Sequence, residues 1–561
     1  MKAYDVLANV LENWGVDHVY GLPGNSVDSA VEGLYKAKQK IKFIQIRHEE
    51  TAGLAMSAEA KMSNKLAVSV VTGGPGGIHL VNGVYDSKLD HVPTLSIIGQ
   101  VDQQDVNLQS FQEIQMDKLF EDAAIYNKLV INAQSLPELL NEAIETAYAR
   151  RGPAVLTVPD DLWNADIKYV PSLKNTTSNI VNEPVVDLKQ IKHASEIINS
   201  SDKVLVMSGR GAKKAGHVLQ KFIEKIKAPI IQATPSKGII DDDHPYSLAN
   251  IGIFGSSAAF SAMQDADVLI MIGTNFPFSA YLELNKNIKT IQIDLNPSNL
   301  GKRRPIDIGI HGDTKLVLEH LMELVDEKES DVFVHKHAEE MKKWRKWLLD
   351  LANKEPKKVS PEYLFTKLDQ VAPKNVVYSV DIGTSSSWGP HYLNVQQTQD
   401  YVTSPWLATM GVSLPSAIAA GILDRERPVY AIAGDGGFAM SMQDFVTAVR
   451  YDLPILMVVL NNDELALIEY EQFRAKQNNY ATDLSYMDFA KFAESVGAVG
   501  VNINSKEALN QALDKYKNPK HPVLLDVRTT DDTPLGGTIV NGEGKEKWTY
   551  AVDTRDGQAK Y

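Results

Sequence analysis

Two short polar motifs, set one strand–helix–strand apart, carry the most chemical information in this chain. Residues 433–462 read AGDGGFAMSMQDFVTAVRYDLPILMVVLNN. Gly434-Asp435-Gly436-Gly437 follows a strand expected over 429–433, and Asn461-Asn462 closes a second strand expected over 455–460. In a parallel sheet this spacing puts Asp435 and Asn462 at the carboxyl ends of two strands, where ligands bind. Gly434, Gly436 and Gly437 let the backbone approach a diphosphate closely, and the helix N-terminus that follows favours its negative charge. A carboxylate oxygen and an amide oxygen are hard ligands. With diphosphate oxygens and water they would complete an octahedron around Mg²⁺. A Gly-Asp-Gly alone is more often an ordinary strand–helix turn; the apolar strand and paired asparagines at this distance reverse that balance.

Two N-terminal stretches add to it. IQIRHEETAGLAM is a strand ending at Arg47-His48-Glu49-Glu50 before a small-residue helix; by itself it would be a charged helix start. SVVTGGPGGIHLVNGVYDSKLDHVP contains a strand-to-helix loop, Gly73 to Gly77, with backbone amides free to face a ligand, and His79 just beyond. Farther on, SPWLATMGVSLP places Met410 where core filler would otherwise be the default.

Together these segments resemble the thiamine-diphosphate-dependent enzymes. The resemblance implies that Asp435 and Asn462 ligate Mg²⁺ through their side chains and Glu464 through its backbone carbonyl. It makes Glu49 the carboxylate at the aminopyrimidine ring, where a buried hydrogen bond favours the tautomer that removes the thiazolium proton. Glu50 and His48 remain scaffold. Gly73 and Gly74 then lie near the cofactor and His79 faces the active centre. Met410 becomes the wedge that bends the cofactor, and the Ala408 carbonyl accepts from the aminopyrimidine.

The middle of the chain decides between branches. A strand over 204–208 runs into Gly209-Arg210-Gly211, which is not GxGxxG and is weak evidence alone. Further strand ends carry Thr234 and Lys237, Gly273-Thr274-Asn275-Phe276 and Asp294, and Asp313 stands beside them in His311-Gly312-Asp313. This set resembles the flavin-binding middle domain of pyruvate oxidases and acetohydroxyacid synthases, and implies FAD extended along the strand ends. The fuller pattern is most similar to the pyruvate oxidase family: YGLPGNSVDS, QIRHEE, GGPGGIHLVNGVYD, FQE, GTNFPF, LGKR and TSPWLATMG. On that similarity Phe111 and Gln112 border the active centre. The segment after the metal motif corresponds to an active-site helix that keeps an acid as Glu471 but has Leu467 where some members carry an aromatic residue. The implied reaction is decarboxylation of pyruvate with two electrons passing to FAD. Phosphate then releases acetyl phosphate and oxygen yields hydrogen peroxide; alternatives are acetate with a quinone acceptor, or carboligation to acetolactate. A homodimer is the implied minimum, because two chains sandwich each thiamine, and a homotetramer is usual.

The elements that must position these residues follow from apolar patterning. Short, continuous Val/Ile/Leu runs at 66–71, 94–99, 154–158, 204–208, 229–233, 267–272, 290–294, 376–380, 429–433, 455–460 and 523–527 alternate with helical stretches. Unbroken apolar strands belong to parallel sheets covered on both faces. The expected fold class is α/β, with three open, mainly parallel-sheet domains and helices on both faces. Polar stretches at 171–183 and 328–361 divide the chain into an N-terminal pyrimidine-binding domain (1–175), a middle FAD-binding domain (184–350), a C-terminal diphosphate and magnesium domain (358–535) and a short polar tail (536–561). The first and third units show no convincing repeat of residues.

Composition narrows the class further. The 561 residues carry 57 Lys+Arg against 71 Asp+Glu, a net charge of −14 that argues against a nucleic-acid binder. The basic clusters at 302–304 and 342–346 read as solvated faces. With Cys 0, disulfides, thiolate zinc sites, iron–sulfur clusters and cysteine nucleophiles are excluded. No apolar run approaches the roughly 18 residues that would span a bilayer. Asp5 and Glu12 in the first helical pattern are unlike a secretory signal. The last residues lack an amphipathic helical face. A cytoplasmic protein without stable membrane insertion is expected.

Overall fold

The structure is a computed structural model that describes residues 1–170, 184–354 and 359–530, and the backbone of 536–542, 545–553 and 558–560. The linker at 171–183 and the boundary near 358 lie outside the described residues.

Three six-stranded sheets, every strand parallel to its neighbours, carry the described chain. The first contains β1 (His18–Leu22), β2 (Lys42–Gln45), β3 (Ala67–Val71), β4 (Thr94–Gln100), β5 (Tyr126–Leu129) and β6 (Pro153–Pro159), in the order β2-β1-β3-β4-β6-β5. The middle sheet contains β7 (Val204–Ser208), β8 (Ile230–Gln232), β9 (Ser247–Asn250), β10 (Val268–Ile272), β11 (Lys289–Asp294) and β12 (Ile308–His311), in the order β12-β11-β10-β7-β8-β9. The third contains β13 (Val377–Val380), β14 (Asp400–Val402), β15 (Val429–Gly434), β16 (Ile455–Asn461), β17 (Val499–Ile503) and β18 (Val523–Arg528), in the order β14-β13-β15-β16-β18-β17.

The first and third sheets therefore share one strand order although their residues show no repeat. Topology is set by right-handed crossovers and by apolar faces, which many residue choices satisfy. The middle sheet reverses direction between β7 and β10, the switch point where doubly wound sheets open a crevice for dinucleotides.

The chain beyond 535 is not simply a polar tail. Its strands Gly536–Gly542, Lys545–Asp553 and Gln558–Lys560 pair antiparallel into a small sheet. Trp548, Tyr550 and Val552 alternate with Lys547, Thr549 and Ala551. That period of two is invisible to a search for a helical face.

Apolar cores fuse the units. One core draws Ala52, Ala55 and Met56 of the helix Glu49–Ser63 together with Leu414, Ala417 and Ile418 of the helix Ser413–Leu423. A second joins the middle and third sheets. The small residues of Glu49–Ser63 have a direct use: this helix crosses Pro75–Leu89 where Gly53 meets Gly83, and a Cβ on Gly83 would stand 2.1 Å from the Gly53 carbonyl carbon.

Candidate active site

Glu49 begins the helix that follows β2, and the chain entering it is held by a hydrogen bond from Arg47 N to Asp444 Oδ1 at 2.7 Å. Only 6% of Glu49 is exposed. Its Oε2 lies 2.9 Å from His79 Nδ1, and the His79 ring stacks on His48 with centroids 4.4 Å apart. A Cβ on Gly76 would come within 3.3 Å of Glu49 Oε1, so that glycine keeps space beside the carboxylate. Gly73 abuts the Gly99 carbonyl. Gly74, with φ +60°, abuts the Gln112 carbonyl, where an added Cβ would be 2.9 Å away. The structure thus brings Glu49, His79, Gly73, Gly74 and the backbone of Gln112 together at the carboxyl ends of β3 and β4. Phe111 stands beside them with 84% of its surface exposed.

The second half of the site is built on β15 and β16. Asp435 Oδ1 accepts from Gly436 N at 2.8 Å, and Oδ2 accepts from Asp463 N at 2.7 Å and Asn462 N at 3.1 Å. Burial pushes its carboxyl up to about 6, and the three N–H donors only partly offset that. The guanidinium of Arg528 goes to Asp463 instead, at 2.6 and 2.9 Å. A buried carboxylate restrained by amides, beside the amide side chain of Asn462, is a donor set that a hard divalent cation fits. Glu464 spends its side chain on Asn479 and Thr482, at 2.9 and 3.0 Å, which leaves its backbone as what it has to offer.

Three elements meet over the glycines. A Cβ on Gly436 would fall 2.8 Å from Leu465 and 3.5 Å from Met410 Cε, and one on Gly437 would fall 2.7 Å from Asp381 Oδ1. Met410 is therefore brought to the Gly434–Gly437 loop. Asp381, at the end of β13, accepts from Gly411 N and Ser413 N, both at 2.9 Å, and from Ile382 N at 2.8 Å. Full burial pushes its carboxyl up to about 6. It fixes the turn after Ala408, which takes φ +56°. Leu467 and Glu471 lie one turn apart on the helix Ala466–Arg474, the first half-buried and the second exposed.

The halves are tied through helix Pro75–Leu89, whose polar residues fall at helical spacing. Asn82 Nδ2 donates to Glu50 Oε1 at 2.5 Å and to Thr409 Oγ1 at 2.9 Å. One turn on, Asp86 accepts from Ser57 Oγ, Lys61 Nζ and Ser404 Oγ, each at 2.6 Å. Asp90 lies 2.5 Å from the same Lys61 Nζ. Asp381, Asn82, Asp86 and Lys61 were not singled out in the sequence. The available signal was a strand-end acid before Ile-Gly, and polar residues three and seven positions after His79.

In the middle sheet the ends of β7 and β10 touch backbone to backbone. A Cβ on Gly209 would lie 2.4 Å from the Gly273 carbonyl oxygen, and one on Gly273 (φ +56°) 2.6 Å from Gly211. At this switch point, where doubly wound sheets bind dinucleotides, only glycines allow so close an approach, and a Cβ on Gly209 would also stand 2.5 Å from Thr274 Cβ. Thr274 and Asp294 are buried at its strand ends, and Thr234 is half-exposed. Asp294 accepts from Asn296 N and Asn299 Nδ2 at 2.8 and 3.2 Å, and burial raises its carboxyl. Asn275 accepts from Arg303 Nε at 2.8 Å, and Phe276 packs in the core shared with the third unit.

Three residues expected at the flavin are engaged elsewhere. Arg210 donates to the Asp90 carbonyl at 2.6 Å and so braces the first unit. Lys237 is buried in an ion pair with Asp242 at the seam with the third unit. Asp313 caps the helix Thr314–Leu324 through Lys315 N and Leu316 N at 2.9 and 3.3 Å. Each satisfies a strong local demand, an unpaired buried charge or an open helix end, that a strand-end position alone does not reveal.

Comparison with known proteins bears on this geometry. Family models match the thiamine pyrophosphate enzyme N-terminal TPP binding domain over residues 1–119, the central domain over 191–321 and the C-terminal TPP binding domain over 381–527. The chain belongs to the thiamine pyrophosphate enzyme family. Glu49 and its glycine loop fall within the N-terminal match of this thiamine pyrophosphate enzyme, and Asp381, Met410, Asp435 and Asn462 within the C-terminal one. A Bacillus subtilis protein named only as thiamine pyrophosphate-containing, YdaP, is 41% identical over 545 residues, 97% of this chain and 94% of its own length. A pyruvate oxidase of Lactiplantibacillus plantarum is 35% identical over 534 residues, 94% of this chain and 88% of its own. An acetolactate synthase of Arthrospira platensis is 29% identical over 544 residues, 94% of each chain. No helix among the described residues is long and apolar enough to cross a membrane.

Proposed function

We propose that this thiamine pyrophosphate enzyme is a pyruvate oxidase, converting pyruvate, phosphate and oxygen to acetyl phosphate, CO₂ and hydrogen peroxide, with thiamine diphosphate, Mg²⁺ and FAD as cofactors. The observation that carries it is the close backbone approach of Gly209, Gly211 and Gly273 at the β7/β10 switch point, the place where a doubly wound sheet takes a dinucleotide, in a chain that also has the Asp435 donor set. The relative named pyruvate oxidase supports it.

Bound thiamine diphosphate supplies an electron sink for loss of CO₂, and bound FAD accepts two electrons. The chain's residues do the rest. Asp435, Asn462 and the Glu464 carbonyl hold Mg²⁺, while Gly434, Gly436 and Gly437 admit the diphosphate. Glu49 holds a proton at the aminopyrimidine ring, and Gly73 and Gly74 leave that ring room. Met410 and the Ala408 carbonyl set the cofactor's bend. His79, Phe111, Gln112, Leu467 and Glu471 face the substrate. Gly209, Gly211, Thr234, Gly273, Thr274, Asn275, Phe276 and Asp294 line the flavin crevice.

The three units serve as pyrimidine-binding (1–175), FAD-binding (184–350) and diphosphate-binding (358–535) domains. A homodimer completes each site and a homotetramer is the working form, in the cytoplasm. The test is the absorbance spectrum of the purified protein. Flavin bands that bleach on anaerobic addition of pyruvate, followed by phosphate-dependent oxygen uptake and peroxide, uphold the proposal. A colourless protein defeats it.

A second reading, acetolactate synthase, is favoured by Leu467 at the position of an aromatic residue. It predicts flavin that stays oxidised while acetolactate forms.

A further inference from the structure

The surroundings of Glu49 contain a donor set that the cofactor chemistry does not use in full. His48, Glu49 and His79 each present one ligand atom, and these atoms all lie within 4.8 Å of one another. Two imidazoles and a carboxylate form an N₂O set, the type that holds Zn²⁺ with one position left open. It differs in kind from the all-oxygen set at Asp435, which suits a hard ion. Bonds of 2.0–2.2 Å in a tetrahedron place ligand atoms about 3.4 Å apart. His79 Nδ1 and Glu49 Oε2, at 2.9 Å, are already closer than that, so side-chain rotations of roughly an ångström gather the set.

Two further features point to a ligand, and the ring stacking between them says what must move. His48 Nδ1 is buried without a hydrogen-bond partner, the nearest carboxylate oxygen, Glu50 Oε2, being 3.9 Å away. Leaving such an atom unpaired is costly, and a metal bond would satisfy it. The two imidazoles are stacked at 4.4 Å with their planes 27° apart, so one ring must turn out of the stack for both in-plane nitrogen lone pairs to meet at one ion. The His79 side chain is 41% exposed while that of Glu49 is 8% exposed, so an ion has an entry path and water can take the open position.

We propose that His48, Glu49 and His79 bind a borderline divalent cation, Zn²⁺ or its congeners, in the cofactor-free chain, and that thiamine diphosphate and this ion exclude one another. The exclusion rests on the reading of Glu49 as the acid at the aminopyrimidine; the metal site itself does not. A carboxylate bonded to a divalent cation is a far weaker base, so Glu49 could no longer hold a proton at a ring nitrogen through its remaining oxygen. Zinc availability would thereby set the fraction of chains able to load cofactor.

The test uses the full chain, freed of cofactor and metal with a chelator, titrated with Zn²⁺ by calorimetry and with Co²⁺ by visible absorption. Expected are one equivalent per chain, a Kd on the order of micromolar or tighter, and a ligand-field band of low coordination number. His48→Ala and His79→Ala should each weaken Zn²⁺ on the order of tenfold or more, with His48→Gln as a milder companion and thermal melts confirming folding. Asp435→Asn should leave Zn²⁺ binding intact. Prior saturation with thiamine diphosphate and Mg²⁺ should weaken Zn²⁺ by a similar factor. No stoichiometric binding, or binding unaltered in both histidine variants, overturns the metal site and leaves the cofactor role of Glu49 standing. Zinc binding that needs both histidines but ignores the cofactor upholds the site and overturns that role.

Discussion

At the scale of residues, Glu49 and Asp435 are both buried carboxylates, and their surroundings separate their tasks. Glu49 has a histidine at one oxygen and a glycine keeping space at the other, which suits an acid that shares a proton with a ligand ring. Glu49→Gln keeps the shape and removes the acid, so turnover should fall on the order of 100-fold or more while the melting temperature holds. Steady-state rates beside a thermal melt check it, and unchanged turnover rejects the assignment. Asp435 is anchored by strand-end amides and kept from any guanidinium, which suits an ion. His18 has a structural task. Burial would lower its pKa, but the hydrogen bonds and charges of Asp17 and Glu59 outweigh this and push it up to about 9. A cationic His18 thus stabilises β1 against Glu49–Ser63 fully below pH ~6.5, and that contribution fades as pH rises through about 9. The loss should be at most ~3 kcal/mol, seen as a falling melting temperature between those limits. His18→Gln should flatten the decline.

At the scale of elements, the site depends on two helices crossing at backbone contact. Gly83→Ala puts a methyl group 2.1 Å from Gly53 and must drive apart the helices that carry Glu49 and His79. A loss of about 1–3 kcal/mol is expected, with weaker thiamine diphosphate binding, and denaturant unfolding with a cofactor titration measures both. The strands show which elements announce themselves. Every continuous apolar run became a strand. Those not legible were β1, β5, β9, β12, β14 and β17, and all but β1 are sheet edges. Edge strands are half-solvated and carry polar residues such as Asn127, Lys128 and Asp400, so the continuous pattern breaks down. β1 was hidden by Gly21, which is needed because a Cβ there would lie 2.1 Å from the Val70 carbonyl oxygen.

At the scale of the molecule, Lys61, Asp86 and Asp90 form a buried charge cluster that all three units reach, through Ser404 from the third and Arg210 from the second. Burial would lower the Lys61 ammonium, and the two aspartates reverse that and raise it. Asp86→Ala frees Ser57 and Ser404 and removes half of the compensation for Lys61. It should cost on the order of 3–5 kcal/mol and loosen the segment carrying Met410. Unfolding curves and cofactor affinity together test this, and a loss under ~1 kcal/mol would show that the cluster does not bind the units together.

What residue order settled by itself was the α/β class, the central strands and the two polar motifs at their ends, because continuous apolar runs and strand-end glycines are local signals. Tertiary structure alone decided which charges those ends release to a ligand. Arg210 looks like its neighbours in one dimension, yet it is claimed by the Asp90 carbonyl of the first unit, while Lys237 and Asp313 turn to Asp242 and to the start of the next helix, close by in the chain. Asn82 became visible only when the first and third units closed on one turn, and Asp381 only when residues 411–413 folded back onto the end of β13. A buried polar group must find its partner in space, and the sequence distance to that partner carries no information about it.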